Sequence, residues 1–205
     1  MADRLSPLAH VRLAPSSQDR GIERAYLSYP APGSIVQVAA WPDNAGIVQT
    51  AIEEVLGVKA PSLGHAVRHG DVTTAALAPG RLLLSSDEAD LAARFAAMTV
   101  AHGTVTDLSH ARTIMSIAGS DVVEVLLQHV AIDLDLIAFP PGRVAQTQIH
   151  HIDVLIHRVE ERHFDLWVFR SFAESLAHWL SYGDVYWHGM THSGASRQST
   201  SQTDL

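Results

Sequence analysis

A pattern that occurs twice constrains the fold of this 205-residue chain more than any other feature. Residues 82–95 (LLLSSDEADLAARF) and residues 166–179 (LWVFRSFAESLAHW) both contain an apolar run, a serine, an acidic residue and an amphipathic stretch. Apolar runs of this kind predict strands, and the spacing that follows them predicts helices. Because a repeated unit indicates repeated structure, we predict a pseudo-symmetric α+β chain made of two similar halves.

The predicted halves cover residues 34–103 and 104–188 of one α+β domain, with mixed or antiparallel sheets. Each half reads in the order strand, helix, strand, strand, helix. A serine and a glutamate three residues apart form a candidate capping box before the last helix of each half. These boxes are Ser85 with Glu88 and Ser171 with Glu174.

The two ends of the chain differ in composition from the predicted domain. Residues 1–33 contain Pro7, Pro15, Pro30 and Pro32, which remove backbone donors and prevent a continuous helix. We predict an extended N-terminal arm that becomes ordered only against another subunit. Residues 189–205 are rich in Ser, Thr and Gln, with little to bury, and we expect a disordered tail.

Composition excludes several classes of function. The 22 acidic and 14 basic side chains give a formal charge of -8, which disfavours binding to a nucleic acid. The absence of cysteine excludes disulfides and thiolate metal sites within the chain, and is compatible with the cytoplasm. The first residues lack the apolar core of a signal peptide, and the longest apolar stretch is interrupted by acids, so we expect neither secretion nor a membrane span.

Motifs that bind cofactors are also missing. The chain has no G-x-G-x-x-G and no G-x-x-x-x-G-K-[ST], so it offers no evident cradle for a dinucleotide or a nucleoside triphosphate. Lys59 is the only lysine and lies beside Pro61, which disfavours Schiff-base chemistry. We predict no cofactor bound by this chain.

Thirteen histidines include two pairs at a spacing of four residues, His65 with His69 and His188 with His192. Two ligands at this spacing can bind a metal from one face of a helix. Glycines flank or interrupt both pairs, so a helix is not secure, and we predict no metal site. His150, His151 and His157 lie in or beside predicted strands and are interpreted as surface or interface residues.

Three further side chains are candidates for catalysis. Asp133 and Asp135 could work as an acid and a base if their environments separated their pKa values, although a capping or solvated role is favoured. Ser171 lacks a G-x-S-x-G elbow and is already assigned to a helix cap. We therefore predict no catalytic residue.

Arginines at strand or turn boundaries are the candidates for contact with a partner, because a guanidinium can bind a carboxylate through two parallel hydrogen bonds. They are Arg112, Arg143 and Arg170; structural ion pairs within the chain remain the alternative. The sequence Phe139-Pro140-Pro141-Gly142-Arg143 predicts a rigid surface loop. We expect Phe139 and Arg143 to dock on another subunit, with burial of Phe139 in this chain's own core as the alternative.

Two stretches carry a resemblance to a known family. Residues 106–148 (TDLSHARTIMSIAGSDVVEVLLQHVAIDLDLIAFPPGRVAQTQ) and 166–180 (LWVFRSFAESLAHWL), together with SPLAH at 6–10, closely resemble the gamma subunits of heterotetrameric sarcosine oxidases. The DLS and G-x-D elements are also similar to the folate-binding aminomethyltransferases, whose fold the gamma subunits resemble. The ordered set covers most of the predicted domain.

The resemblance implies a structural subunit without chemistry of its own. In that family the alpha and beta subunits carry FAD, FMN and NAD, the small delta subunit binds zinc, and the complex oxidises sarcosine or a related N-methyl amine, with tetrahydrofolate as a possible carbon acceptor. The alternative is a stand-alone folate-dependent aminomethyltransferase, in which Asp107 or Asp121 would be a binding or catalytic acid. A free-standing scaffold or regulatory module is a third possibility.

Overall fold

The computed structural model describes residue 8 and residues 25–99, 101–181 and 185–187. The described strands are β1 (Ala25–Ser28), β2 (Ser34–Ala40), β3 (Ala66–His69), β4 (Val72–Ala78), β5 (Arg81–Ser86), β6 (Gly103–Asp107), β7 (Arg112–Ala118), β8 (Val144–Ile149), β9 (Ile152–Glu160), β10 (His163–Phe169) and β11 (Val185–Trp187). The described α-helices are α1 (Ala45–Leu56), α2 (Leu91–Thr99), α3 (Val122–Leu127) and α4 (Ala173–Ser181), with a 3-10 helix at Arg170–Phe172.

Strand order confirms the internal repeat. One sheet has the order β3-β4-β5-β2-β6, and the other has the order β8-β9-β10-β7-β1-β11. In the first sheet, the antiparallel strands β3, β4 and β5 are followed by β2, the first strand of that half. In the second sheet, the antiparallel strands β8, β9 and β10 are followed by β7, which occupies the same place in its half. The halves therefore share one topology, except that β1 lies between β7 and β11 in the second sheet.

The predicted boundary between the halves is slightly displaced. β6 starts at Gly103 and pairs with β2, so residues 103–107 belong to the first sheet and not to the second half. The short strands β3, β6 and β11 have weak sequence patterns and were not predicted. Mixed α+β architecture with two sheets is confirmed.

The N-terminal arm needs a larger correction. Residues 25–28, placed in the arm by their sequence, form β1, which pairs antiparallel with β7 and parallel with β11. Ala25 and Leu27 are fully buried in the core of the second sheet, where Leu8 also packs. The prediction that the arm is ordered only against another subunit is therefore wrong for these residues. The predicted tail, 189–205, lies outside the described residues.

Three apolar clusters hold the sheets and helices together in layers. Between the sheets lie side chains from both, including Ile35 and Leu83 of the first and Leu155 and Trp167 of the second. The opposite face of the first sheet packs against α1 and α2. The opposite face of the second sheet packs against α3, α4 and the segment after α3. Because alternate strand residues point to opposite faces, both sheets are buried on two sides.

Helix boundaries confirm one predicted signal and contradict two. Gly57 ends α1 in the left-handed conformation, with φ of 69°, as its position after the apolar pattern predicts. Neither capping box forms. Ser85 is buried in β5, and α2 begins only at Leu91. Ser171 lies inside the 3-10 helix that precedes α4, where its hydroxyl cannot be the N-cap of that α-helix.

Candidate subunit interface

The loop before β8 does not present Phe139 to a partner. Phe139 is only 3% exposed and packs in the core of the second sheet. The prediction that Phe139 docks on another subunit is therefore wrong, and the alternative, burial in its own core, is correct. An aromatic residue beside two prolines gives no sequence signal that separates these two outcomes.

Asp133 and Asp135 shape this loop through hydrogen bonds to the backbone. The carboxylate of Asp133 accepts from the Asp135 amide at 2.9 Å, and the carboxylate of Asp135 accepts from the Ile137 amide at 2.8 Å. Both side chains thus have the capping role that was favoured over acid and base chemistry. The turns leave Ile137 93% exposed at the tip of the loop.

A buried arginine, Arg158, holds the same loop from below and was missed by sequence reasoning. It is 2% exposed, and one terminal nitrogen donates to the carbonyl oxygens of Leu134 and Phe139 at 2.9 and 2.8 Å. Its other donors bind the Glu161 carbonyl. These four hydrogen bonds to backbone carbonyls join chain segments that only the tertiary structure brings together.

The segment Pro140–Arg143 joins the two sheets. The Ala66 amide donates to the Gly142 carbonyl at 2.7 Å, and the Val144 amide donates to the Gly64 carbonyl at 2.9 Å. Arg143 itself forms a β-bridge with His65. Its guanidinium is half-buried, with one terminal nitrogen 3.5 Å from the His65 ring. Within the predicted docking loop, Pro141 is exposed, whereas Arg143 is partly buried and mainly connects the two sheets.

Arg112 and Arg170 lie close to each other at the end of the second sheet. The Arg112 guanidinium lies 4.3 Å from the centre of the Phe169 ring, its neighbour across β7 and β10. Burial lowers the pKa of Arg112, an effect partly opposed by Asp153. The Arg170 amide donates to the Ala111 carbonyl at 2.8 Å. Both arginines remain partly accessible, as a contact with a partner requires.

Exposed aromatic side chains continue from Arg112 along the last helix. Phe169 is followed by Phe172 and Trp179, which are 47% and 41% exposed and lie seven residues apart. Phe172 ends the 3-10 helix that leads into α4, and Trp179 lies within α4. The Trp179 ring also stacks on His150, with centroids 4.3 Å apart. Large apolar side chains grouped on a surface are typical of an interface.

His157 and three polar neighbours form a cluster on the inner face of the second sheet. The Ser116 hydroxyl donates to Asp165, and the carboxylate of Asp165 lies 3.5 Å from Nε2 of His163. The hydrogen bond to Asp165 raises the pKa of His163, whereas burial lowers the pKa of His157. His157 is buried between the sheets and is not the surface residue that was expected.

The DLS element has a structural explanation. The Asp107 carboxylate accepts from the Ser109 amide at 2.8 Å and so turns the chain after β6. The buried Ser109 hydroxyl then accepts from the Ile35 amide at 2.9 Å, which fastens this turn to β2. Asp121, the other acid of the folate-enzyme alternative, precedes α3 and accepts from the Ser120 hydroxyl at 2.7 Å. These contacts give both acids a role in local structure.

The remaining candidate residues are spread over the surface. His65 and His69 lie at the two ends of an extended segment, so they do not share a helix face. Among the residues that the structure describes, no group of three His, Asp or Glu side chains is placed to hold a metal ion. His188 and His192 lie outside the described residues. Lys59 lines an open cavity of about 500 Å³ with Gln49 and Ser62.

The fold is similar to that of an aminomethyltransferase. The crystal structure of the glycine cleavage system aminomethyltransferase T from Bartonella henselae matches 81% of this chain with a TM-score of 0.58. Sequence identity is 16%, and the match covers 48% of that chain, so the likeness shows the fold alone. It confirms the predicted aminomethyltransferase-like fold.

Closer similarity is found to an oxidase. A structure described as heterotetrameric sarcosine oxidase from Corynebacterium sp. U-96 in complex with pyrrole 2-carboxylate contains a chain that is 27% identical to this one. The match has a TM-score of 0.76 and covers 87% of this chain and 93% of that chain. No curated protein matches at the level of sequence. The family model for the sarcosine oxidase gamma subunit matches residues 39–185, and this chain belongs to that family.

Proposed function

We propose that this chain is the non-catalytic gamma subunit of a heterotetrameric sarcosine oxidase. The complex would oxidatively demethylate sarcosine, or a related secondary amine, to glycine with release of formaldehyde or formation of methylene-tetrahydrofolate, and with formation of hydrogen peroxide. Its other members would be alpha, beta and delta subunits. FAD, FMN and NAD would belong to the larger subunits and zinc to the small one. We propose that assembly takes place in the cytoplasm.

The observation that carries this proposal is the extent of the structural match. This chain covers 93% of a chain of the Corynebacterium oxidase but only 48% of the aminomethyltransferase. The match thus spans nearly all of the oxidase chain and about half of the aminomethyltransferase chain, and sequence identity is higher to the oxidase, at 27% against 16%. This contrast favours the subunit over a stand-alone aminomethyltransferase.

The contacts of the acidic residues support a non-catalytic role. Asp107, Asp133 and Asp135 each accept hydrogen bonds from backbone amides and shape turns. A carboxylate that fixes a turn is already held in one geometry, whereas a general acid or base must reach a substrate.

None of the helices that the structure describes is long and apolar enough to cross a membrane.

Partner contacts are proposed at the accessible members of the predicted set and the aromatic residues beside them. We assign this role to Arg112, Pro141 and Arg170, with Phe169, Phe172 and Trp179. Arginine and aromatic side chains are enriched at the energetic centres of interfaces. Phe139 is assigned to the core of the second sheet, and Pro140 and Arg143 are assigned to the segment that joins the two sheets.

Purification of the tagged chain tests the proposal. Co-expressed with flavin-bearing candidate subunits, the chain should purify with them in a fixed ratio, and the complex should show flavin absorbance and sarcosine-dependent release of hydrogen peroxide. The isolated chain should be colourless and should oxidise no N-methyl amine. Specific binding of tetrahydrofolate by the isolated chain, at one molecule per chain, would instead support the aminomethyltransferase alternative.

A further inference from the structure

Three consecutive apolar side chains are exposed in the loop between α3 and β8. Leu136 and Ile137 are 42% and 93% exposed, and Ala138 is exposed as well. Residues 136–138 are called the apolar tip below. Apolar side chains that remain in water gain nothing from folding, and a run of three on a surface is a defect unless it has a function. The apolar tip therefore calls for a role outside the folding of this chain.

The backbone on both sides of the apolar tip is fixed. Leu134 and Phe139 are 1% and 3% exposed and are buried in the core of the second sheet. The Phe139 amide donates to the Asp135 carbonyl at 2.7 Å and closes one turn across the tip. The Ile137 amide donates to the Asp135 carboxylate at 2.8 Å. Side chains displayed on a turn that is already ordered lose little conformational freedom when they bind.

The rigidity of this turn does not depend on the apolar side chains that it displays. Arg158, which is 2% exposed, donates to the carbonyl oxygens of Leu134 and Phe139. These bonds involve backbone oxygens only, so a polar tip would be held on the same turn equally well. Folding accounts for the shape of the loop but not for the apolar side chains at its tip.

Acidic side chains surround the apolar tip. The stretch between Arg112 and Arg143 contains four acids and no lysine or arginine. Two of the acids, Asp133 and Asp135, are exposed directly beside the tip. The guanidinium beneath the loop, that of Arg158, already interacts with Glu161 as well as with Asp135. A surface that receives the tip is complementary if it is apolar at its centre and basic at its rim.

We infer that the apolar tip is a preformed anchor, with Ile137 at its centre, that inserts into an apolar pocket with a basic rim on another subunit. Residues that carry the binding energy of an interface are typically apolar side chains that fill a pocket on the partner. An anchor that is ordered before binding gains affinity, because its ordering is completed during folding. This inference rests on the proposed subunit function and adds a contact site to it.

Charge and symmetry argue against a second copy of this chain as the occupant. A two-fold dimer through the apolar tip would bring two identical acidic surfaces together, which is unfavourable. Insertion of the tip into a cavity elsewhere on a second copy, such as that beside Lys59, would leave a tip and a cavity free for further copies. Neither arrangement agrees with a heterotetramer of four different subunits. In addition, Lys59 already faces the carboxylate of Glu53.

Hydroxyl-radical labelling of the wild-type complex and of the isolated full chain tests this inference directly. Oxidation of Leu136 and Ile137, read by mass spectrometry, should fall at least about fivefold in the complex, because an anchor is removed from water. Equal labelling in a complex that has formed would overturn the anchor and leave the proposed function intact. Failure of the wild-type chain to form any complex would contradict the proposed function itself. Protection in the isolated chain that rises with its concentration would indicate a second copy and would overturn the anchor.

Matched serine substitutions give an independent test. Ile137→Ser should raise the dissociation constant of the complex about tenfold to a hundredfold, the scale of burying one isoleucine side chain. Ile47→Ser is the control, since Ile47 is 49% exposed on α1 and should leave assembly unchanged. Thermal unfolding of each isolated variant shows whether the fold is retained. Equal assembly of the two variants would overturn the anchor, whether both bind normally or both bind weakly.

The basic rim is tested by removal of charge without removal of the turn. In the double variant Asp133→Asn with Asp135→Asn, each side chain keeps a carbonyl oxygen that can accept the amide hydrogen bond. Its association with the partner subunits should be about three- to tenfold slower at low salt, and the difference should shrink at high salt. Asp43→Asn with Asp90→Asn, at two exposed sites in the other half, removes the same net charge and should change the rate little. Equal slowing by both pairs would contradict a basic rim around the pocket.

Discussion

The guanidinium of Arg158 donates a hydrogen bond of 2.8 Å to the carbonyl oxygen of Phe139, 19 residues earlier in the chain. The same nitrogen also binds the Leu134 carbonyl, and the guanidinium lies 4.9 Å from the centre of the Phe164 ring. One buried side chain thus fixes both ends of the loop that carries Ile137.

Replacement of Arg158 is expected to destabilise the fold. Arg158→Met should lower the free energy of unfolding by about 2–4 kcal/mol, because buried carbonyls lose their donors. Urea unfolding of the isolated chain measures the change. The exposed Arg162→Met is the control and should remain within about 0.5 kcal/mol of the wild type.

Phe139 and Ile137 should respond differently to truncation, since one is buried and the other exposed. Phe139→Ala should cost about 3–5 kcal/mol of stability through loss of apolar burial and creation of a cavity. Ile137→Ala should cost less than about 0.5 kcal/mol. Similar losses in the two variants, measured by denaturant unfolding, would contradict the position of Phe139 in the core.

His157 and His163 should give stability opposite dependences on pH. Burial lowers the pKa of His157 in the folded chain below 6.5, so the unfolded chain binds its proton more readily and stability falls as pH decreases from about 6.5 toward the folded value. The bond to Asp165 raises the pKa of His163 above 6.5. Its contribution is therefore complete below about 6.5 and is lost as pH rises through the folded value.

Substitution separates the two contributions. Below about pH 6.5, His157→Gln should reduce the fall in the free energy of unfolding. In the same pH range, His163→Gln should remove the stabilisation that protonated His163 provides. Unfolding free energies measured from pH 5 to 8 test the signs. Parallel changes in the two profiles would contradict the assignment of opposite pKa shifts.

Two hairpin glycines offer a test of close packing. Gly80 and Gly70 both have positive φ, at 68° and 58°. A Cβ on Gly80 would lie 2.8 Å from Cβ of Ala40, whereas one on Gly70 would meet nothing within 4 Å. Gly70→Ala should cost about 1 kcal/mol from backbone strain, and Gly80→Ala about 1–3 kcal/mol more from the clash. Equal thermal shifts would show that Ala40 can move aside.

The turn between β8 and β9 places two histidines at positive φ, His150 at 46° and His151 at 69°. Such two-residue hairpins favour Asn-Gly, because glycine adopts this conformation without strain. His151→Gly should therefore raise stability by about 0.5–1 kcal/mol. His150→Gly should gain less or lose stability, since it removes the stack on Trp179 and the 3.1 Å contact with His129. Calorimetry of the two variants gives the comparison.

The sequence by itself determined the α+β class, the internal repeat and the family. Apolar periodicity is local, so the strands β4, β5, β9 and β10 and the helix ended by Gly57 could be predicted from neighbouring residues. The ordered motifs of residues 106–148 and 166–180 were specific enough to indicate the gamma subunit family, which the family model confirms.

Only the tertiary structure decided whether several individual residues are buried, paired or exposed. Arm residues 25–28 become a buried strand because β7 and β11 are positioned on both sides of them. Phe139 enters the core, and Arg158 becomes buried, because each meets partners distant in sequence. Burial and pairing at these positions arise from contacts between distant segments, which local sequence patterns do not encode.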